Sequence, residues 1–246
     1  MRVLDLFSGI GGFALGFHMA GGYETVGFVE IDPFCQKVLK KHWPDVPVFS
    51  DIRTFRGDEV GAVDVVCGGF PCQPHSLAGK RKGSADERDM WPEFARVIRA
   101  VKPRWVVAEN VKGLLSSDDG RYFGGVLRDL AASGYDSEWT VLPAYVARAP
   151  QTRARVYIVA YTESVYGQAW GVLEKGGVWT TQAQPRGLRG LFGGPEPTVW
   201  ADEPKPRMGR VAHGVPSRVD RLRSLGNAVV PQVICWLARR IKEVSA

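Results

Sequence analysis

Strand-like and helix-like stretches alternate along the first 161 residues, and this alternation restricts the fold more than any other feature. Arg2–Phe7 reads as an apolar strand. Gly12–Ala20 has helical spacing and ends at Gly21-Gly22. Strands are expected at Thr25–Glu30, Val46–Asp51, Val63–Cys67, Trp105–Glu109, Trp139–Leu142 and Val156–Tyr161. Helices are expected at Pro33–His42, with Asp32 as its cap before a first-turn proline, and at Trp91–Val101, Phe123–Ala132 and Pro231–Val244. Strands separated by helices imply a mostly parallel sheet covered on both faces. Residues 162–212 break the pattern. They are rich in Gly, Pro, Trp, Thr and Arg, carry no helical period, and read as a small irregular region.

Composition narrows the function classes. No run of 18 apolar residues occurs, so no membrane span is expected. The opening MRVLDLFSG fits a first strand and not a signal peptide. The four cysteines, Cys35, Cys67, Cys72 and Cys235, form no CxxC pair, and there are four histidines in all. That speaks against a zinc site and against a disulfide scaffold, and makes a reducing cytoplasm the default. Cys35, Cys67 and Cys235 fall within expected helices or strands and are expected to be buried packing residues. Charge is uneven: residues 1–145 carry 17 basic and 19 acidic residues, a net −2, and residues 146–246 carry 15 and 7, a net +8. A basic rear half suits contact with a polyanion.

In a doubly wound sheet, ligands collect at the carboxyl ends of the strands. Gly9, Gly11 and Gly12 follow the first strand and let backbone approach a ligand, while the next helix start offers free N–H groups to an anion. Glu30 ends the second strand, where an acid can accept ribose hydroxyls, and Asp51 ends the third, within reach of an adenine amino group. The glycine spacing is G-x-G-G, so an adenosine-containing ligand is favoured over a dinucleotide. Cys72 follows the fourth strand within GGFPCQPHS, stiffened by Pro71 and Pro74. A thiol with an ordinary pKa near ~8.5 is activated by nearby cations, and Lys80, Arg81 and Lys82 follow in a loop with glycine hinges. Glu109 ends the fifth strand, where a buried carboxyl can stay protonated and donate. Gln151, Arg153 and Arg155 alternate just before the last strand and point the same way if extended.

These segments, DLFSGIGGF, FVEID, SDI, GGFPCQPHS, AENV, QTRAR and GNAVVP, stand in the order seen in cytosine-5 DNA methyltransferases, which the chain resembles over residues 1–161 and 217–246. The loop GKRKGSADERDMWPEF is similar to that family's catalytic loop. The resemblance implies an α/β, Rossmann-like doubly wound, mostly parallel sheet of the class I methyltransferase kind with a small irregular target-recognition domain. It divides the chain into a catalytic S-adenosylmethionine-binding domain (1–161), a target-recognition region (162–212) and a returning C-terminal segment (213–246).

The implied cofactor is S-adenosyl-L-methionine, lined by Phe7, Gly9, Gly11 and Gly12, with Glu30 and Ile31 at the ribose and adenine, Asp51 and Ile52 at the adenine, Pro71 beside it, and Asn227 and Val229 closing the pocket. Cys72 is the implied nucleophile. Glu109 meets the base at N3 and the amino group, and Arg155 reaches the base carbonyl with Arg153 in support. Gln73, Ser76, Lys80, Arg81, Lys82, Arg207 and Arg210 are the implied DNA contacts. His75 and Ile31 stand where the family commonly carries aromatic residues. The implied partner is double-stranded DNA, with no metal and no membrane, and the chain is expected to be a cytoplasmic, nucleoid-associated monomer. An RNA cytosine-5 methyltransferase acting on tRNA and a non-catalytic relative that holds S-adenosylmethionine are the alternatives.

Overall fold

The computed structural model describes residues 1–71, 89–147, 153–162 and 217–245. Cys72, Gln73, His75, Ser76, Lys80, Arg81, Lys82, Gln151, Arg207 and Arg210, and with them nearly all of the expected target-recognition region, lie outside the described residues.

The strands are β1 (Arg2–Leu6), β2 (Glu24–Val29), β3 (Val48–Phe49), β4 (Val65–Gly69), β5 (Trp105–Val111), β6 (Tyr135–Pro143) and β7 (Ala154–Thr162). They form one sheet in the order β3-β2-β1-β4-β5-β7-β6. The ladders from β3 through β5 are parallel, and β7 runs antiparallel to both β5 and β6. The helices are α1 (Gly12–Ala20), α2 (Pro33–His42), α3 (Trp91–Val101), α4 (Arg121–Ala132), α5 (Arg218–Asn227) and α6 (Pro231–Ser245). The expected class, a mostly parallel α/β sheet, is what forms.

Strand alternation builds two cores. Val3, Val65, Cys67, Trp105, Val107 and Val159 face α1 and α6, whereas Leu4, Val66, Val106, Ala108 and Ile158 face α3 and α4. Helix α3 buries Trp91, Phe94, Ala95 and Ile98, the one-sided spacing of an amphipathic helix. Helix α1 lies close on α6 because Gly16 has no side chain: a Cβ there would stand 2.5 Å from Ile234 Cβ and 2.6 Å from the Pro231 carbonyl oxygen. Local signals place the helix ends. The Asp32 carboxylate accepts from the N–H groups of Phe34 (2.8 Å) and Cys35 (3.4 Å), Pro33 opens α2, and Lys40, Lys41 and His42 close it near the negative end of its dipole.

The helices at 12–20, 33–42 and 91–101 form with the expected bounds. Three elements differ most. Strand β6 begins at Tyr135, ahead of the expected Trp139. The third strand shrinks to Val48–Phe49, because it is an edge strand paired to β2 through two residue pairs alone. Helix α5 was not expected: its stretch is rich in arginine, and among its described side chains only Ser224 is buried.

Because β1, β2, β4 and β5 are parallel, their carboxyl ends share one edge of the sheet, and antiparallel β7 begins at that same edge. Phe7, Glu30, Phe70, Glu109 and Arg155 are thereby gathered from five distant stretches of sequence.

Candidate active site

A cavity of about 480 Å³ opens at this edge, within the ~300–1,000 Å³ typical of small-molecule sites. Its floor is the β1–α1 turn. Phe7 holds a left-handed backbone (φ 53°), uncommon for a residue with a side chain, and its ring stacks 6.1 Å from that of Phe94. Ser8 pins the turn: its hydroxyl donates to the Asp5 carbonyl (2.6 Å), and its N–H donates to the Val29 carbonyl (3.2 Å). Gly9 follows with φ 53°, and a Cβ there would meet nothing within 4 Å, so this backbone lies open to the cavity.

Glu30 forms the adjoining wall. One of its carboxylate oxygens accepts from Gly9 N–H and the other from Asp32 N–H, both at 2.7 Å. Each oxygen keeps a lone pair for a further donor. Burial raises its pKa, against the pull of these backbone bonds. A small ligand with paired hydroxyl donors fits an acid of this kind.

Gly11 and Gly12 do not line the cavity. Their missing side chains serve packing instead. A Cβ on Gly11 would stand 2.6 Å from the Trp43 ring, and one on Gly12 would stand 2.7 Å from Val229 Cγ1 and 2.9 Å from its carbonyl oxygen. Asp51 and Ile52 also stand outside the lining. The Asp51 carboxylate is engaged by the Arg53 guanidinium at 2.9 Å, which holds its pKa below the usual range, and Ile52 is buried in the core. Ile31, by contrast, lines the cavity and is 63% exposed.

At the other end stand Gly69, Phe70, Pro71, Glu109 and Asn110. Glu109 is opposite Gly69 in the β4–β5 ladder, and a Cβ on Gly69 would lie 3.1 Å from Glu109 Oε2. The glycine thus leaves room for the carboxyl. Burial pushes the Glu109 pKa up to about 7, although Arg155 and Arg153 both pull it down. Arg155 Nε lies 3.1 Å from Glu109 Oε1, a contact of opposite charges that lacks hydrogen-bond alignment. Arg153 donates to the carbonyls of Gly226 (2.7 Å) and Asn227 (3.5 Å) at the end of α5. Asn227, Ala228 and Val229 complete the lining from the C-terminal segment.

Three contributors escaped the sequence reading. Asn110 donates to the Phe70 carbonyl (3.0 Å) and accepts from Val111 N–H (2.8 Å), which fixes the end of β4 just before Pro71. Ser8 anchors the floor, as described. Ser224 lies 3.4 Å from the Cys35 thiol and attaches α5 to α2. Asn110 and Ser8 sit inside quoted motifs, so their position in AENV and DLFSGIGGF was the available signal; Ser224 gave none. Cys35, Cys67 and Cys235 are buried and unpaired. Among the described residues, no three His, Cys, Asp or Glu side chains gather into a metal-holding group, and no helix is long and apolar enough to cross a membrane.

The family model for the C-5 cytosine-specific DNA methylase matches residues 1–175. The chain is 37% identical over 158 residues to the Type II methyltransferase M.NgoMIV of Neisseria gonorrhoeae, covering 64% of this chain and 50% of that protein. It is 38% identical over 161 residues to M1.ScrFI of Lactococcus lactis subsp. cremoris, covering 65% and 41%. The crystal structure of the S. pombe Dnmt2 methyltransferase superposes with a TM-score of 0.53 at 25% identity, over 66% of this chain and 49% of that one. The matches span about half the length of these relatives. An ordered set of motifs, a seven-stranded sheet with its cavity at the carboxyl edge and a family match over most of the sequence agree: the chain belongs to the C-5 cytosine-specific DNA methylase family.

Proposed function

We propose that the protein methylates carbon 5 of cytosine in a specific DNA sequence, with S-adenosylmethionine as methyl donor and Cys72 as covalent nucleophile. The observation that carries this reading is one cavity holding both an open glycine turn beside Glu30 and a buried, proton-retaining Glu109 next to Arg155. The first suits an adenosyl group and the second suits a pyrimidine. Pro71 lines the same cavity, and Cys72 is the next residue.

The residue types match the chemistry. Carbon 5 of cytosine is a weak nucleophile. The Cys72 thiolate adds to carbon 6, forming a C–S bond and pushing electron density towards N3 and carbon 5. Glu109, protonated near neutral pH, donates at N3 and stabilises that density, while Arg155 donates to the base carbonyl. Bound S-adenosylmethionine supplies the electrophilic methyl group that carbon 5 takes up. A base then removes the carbon-5 proton, the C–S bond breaks, and the thiolate leaves. The reacting atoms are stacked within a duplex, so the cytosine must be turned out of it. The lysines and arginines of 80–82 and of 162–212 supply phosphate and base contacts in this reading, residues 1–161 form the catalytic domain, and the chain works as a monomer in the cytoplasm. Replacing Cys72 with Ser tests the proposal: methyl transfer to duplex DNA is expected to vanish while S-adenosylmethionine binding persists. A Cys72→Ser variant that still methylates carbon 5 refutes it.

A further inference from the structure

The cavity has two walls that are far apart in sequence. Residues between Phe7 and Val111 build one, and Arg223, Ser224, Asn227, Ala228 and Val229 build the other. Helix α5 leads into the second wall, and its Arg223 and Ser224 line the cavity too. Val219 and Leu225 are 76% and 63% exposed, and among its described side chains only Ser224 is buried. Polar contacts also hold it.

Two groups of such contacts occur among the described residues. On the side of α2, Arg223 lies 3.2 Å from the Asp32 carboxylate and Ser224 lies 3.4 Å from the Cys35 thiol. Arg223 has a 68% exposed side chain, and an ion pair so open to solvent contributes little. At the far end, Arg153 donates 2.7 Å to the Gly226 carbonyl and 3.5 Å to the Asn227 carbonyl. These are the last carbonyls of a helix, which lack helical partners and carry the negative end of its dipole. A guanidinium, with its fixed fork of donors and permanent charge, suits them. Arg155, two residues on and on the same side of the strand, contacts Glu109 instead. Arg153 is thus hydrogen-bonded to the end of α5, although its charge also reaches Glu109, while Arg155 contacts the Glu109 carboxyl itself.

We infer that Arg153 is a positioning residue for the cofactor side of the site: by clamping the end of α5 it holds Asn227–Val229 in place, so its loss weakens S-adenosylmethionine binding before it affects chemistry at the base. This differs from the supporting role beside Arg155 that the family resemblance implies, and it rests on the proposed cofactor.

Titration calorimetry of S-adenosylmethionine into the full chain without DNA tests it. Arg153→Met should raise Kd about tenfold, the factor carried by one charge-assisted hydrogen bond, and Arg155→Met should leave it within about twofold. Arg153→Lys, which keeps the charge and one donor, should fall between. In the ligand-free protein, amide hydrogen exchange at residues 224–228 should quicken in Arg153→Met and not in Arg155→Met. The inference is overturned if Arg153→Met binds like wild type, or if Arg155→Met weakens binding as much. If the Met variant does not fold, Arg153→Lys decides by the same twofold criterion. A wild-type chain that binds no S-adenosylmethionine rejects the proposed function, and the exchange comparison still decides the clamp.

Discussion

Glu109 should make the protein less stable as pH rises, by an amount that its surroundings set. Its side chain is 9% exposed, and burial raises its pKa from 4.5 to about 7. The folded chain therefore keeps a proton that the unfolded chain has already released. The stability linked to that proton is fully present below pH 4.5, declines as pH rises towards 7, and is gone above it, where both states are ionised. The gap between 4.5 and about 7, at ~1.36 kcal/mol per pH unit, corresponds to about 3 kcal/mol. Gln has nearly the same shape and does not titrate. The unfolding free energy of Glu109→Gln, taken relative to wild type, should thus climb by about 3 kcal/mol between mildly acidic and mildly alkaline pH, then level off. Urea unfolding of both proteins across that range, without DNA, measures it, and other titrating groups cancel in the difference. A difference that does not change with pH would refute the reasoning. So would one that falls as pH rises, which would mean that the Arg155 charge outweighs burial.

Further outcomes are expected. Gly12→Ala should cost about 1–3 kcal/mol by urea unfolding, because its Cβ meets Val229 backbone and side chain; Gly9→Ala meets no atom and should cost less, through its positive φ alone. Arg155→Met removes the largest influence that lowers the Glu109 pKa. In the proposed mechanism the protonated acid is the active form, so the rate of methyl transfer is expected to fall as pH rises through that pKa. In the variant the slower rate should therefore fall off at higher pH than in wild type, as read from pH–rate profiles.

Much of this architecture was legible in the sequence, and the misses have physical causes. Helix α2 could be read to the residue because its cap and first-turn proline are neighbours in the chain. The gathering of Glu30, Pro71 and Glu109 at one edge follows from parallel strands, which alternation announces. Gly11 and Gly12 have Trp43 and Val229 packed closely against them, and such partners lie beyond any local pattern. The third strand is shorter than its sequence suggests because it pairs at the sheet edge through two residue pairs alone, a tertiary fact that no local pattern carries. Helix α5 stayed hidden because its described contacts, with Asp32, Cys35 and Arg153, come from distant parts of the chain.

The most direct measurement is covalent trapping. A duplex of varied sequence carrying 5-fluorocytosine, incubated with the full chain and S-adenosylmethionine, cannot release the enzyme by loss of a carbon-5 proton. Peptide mass spectrometry should then find one nucleotide adduct, on the fragment containing Cys72. Methylation of ordinary DNA with no trapped adduct, or an adduct at another residue, would contradict the account.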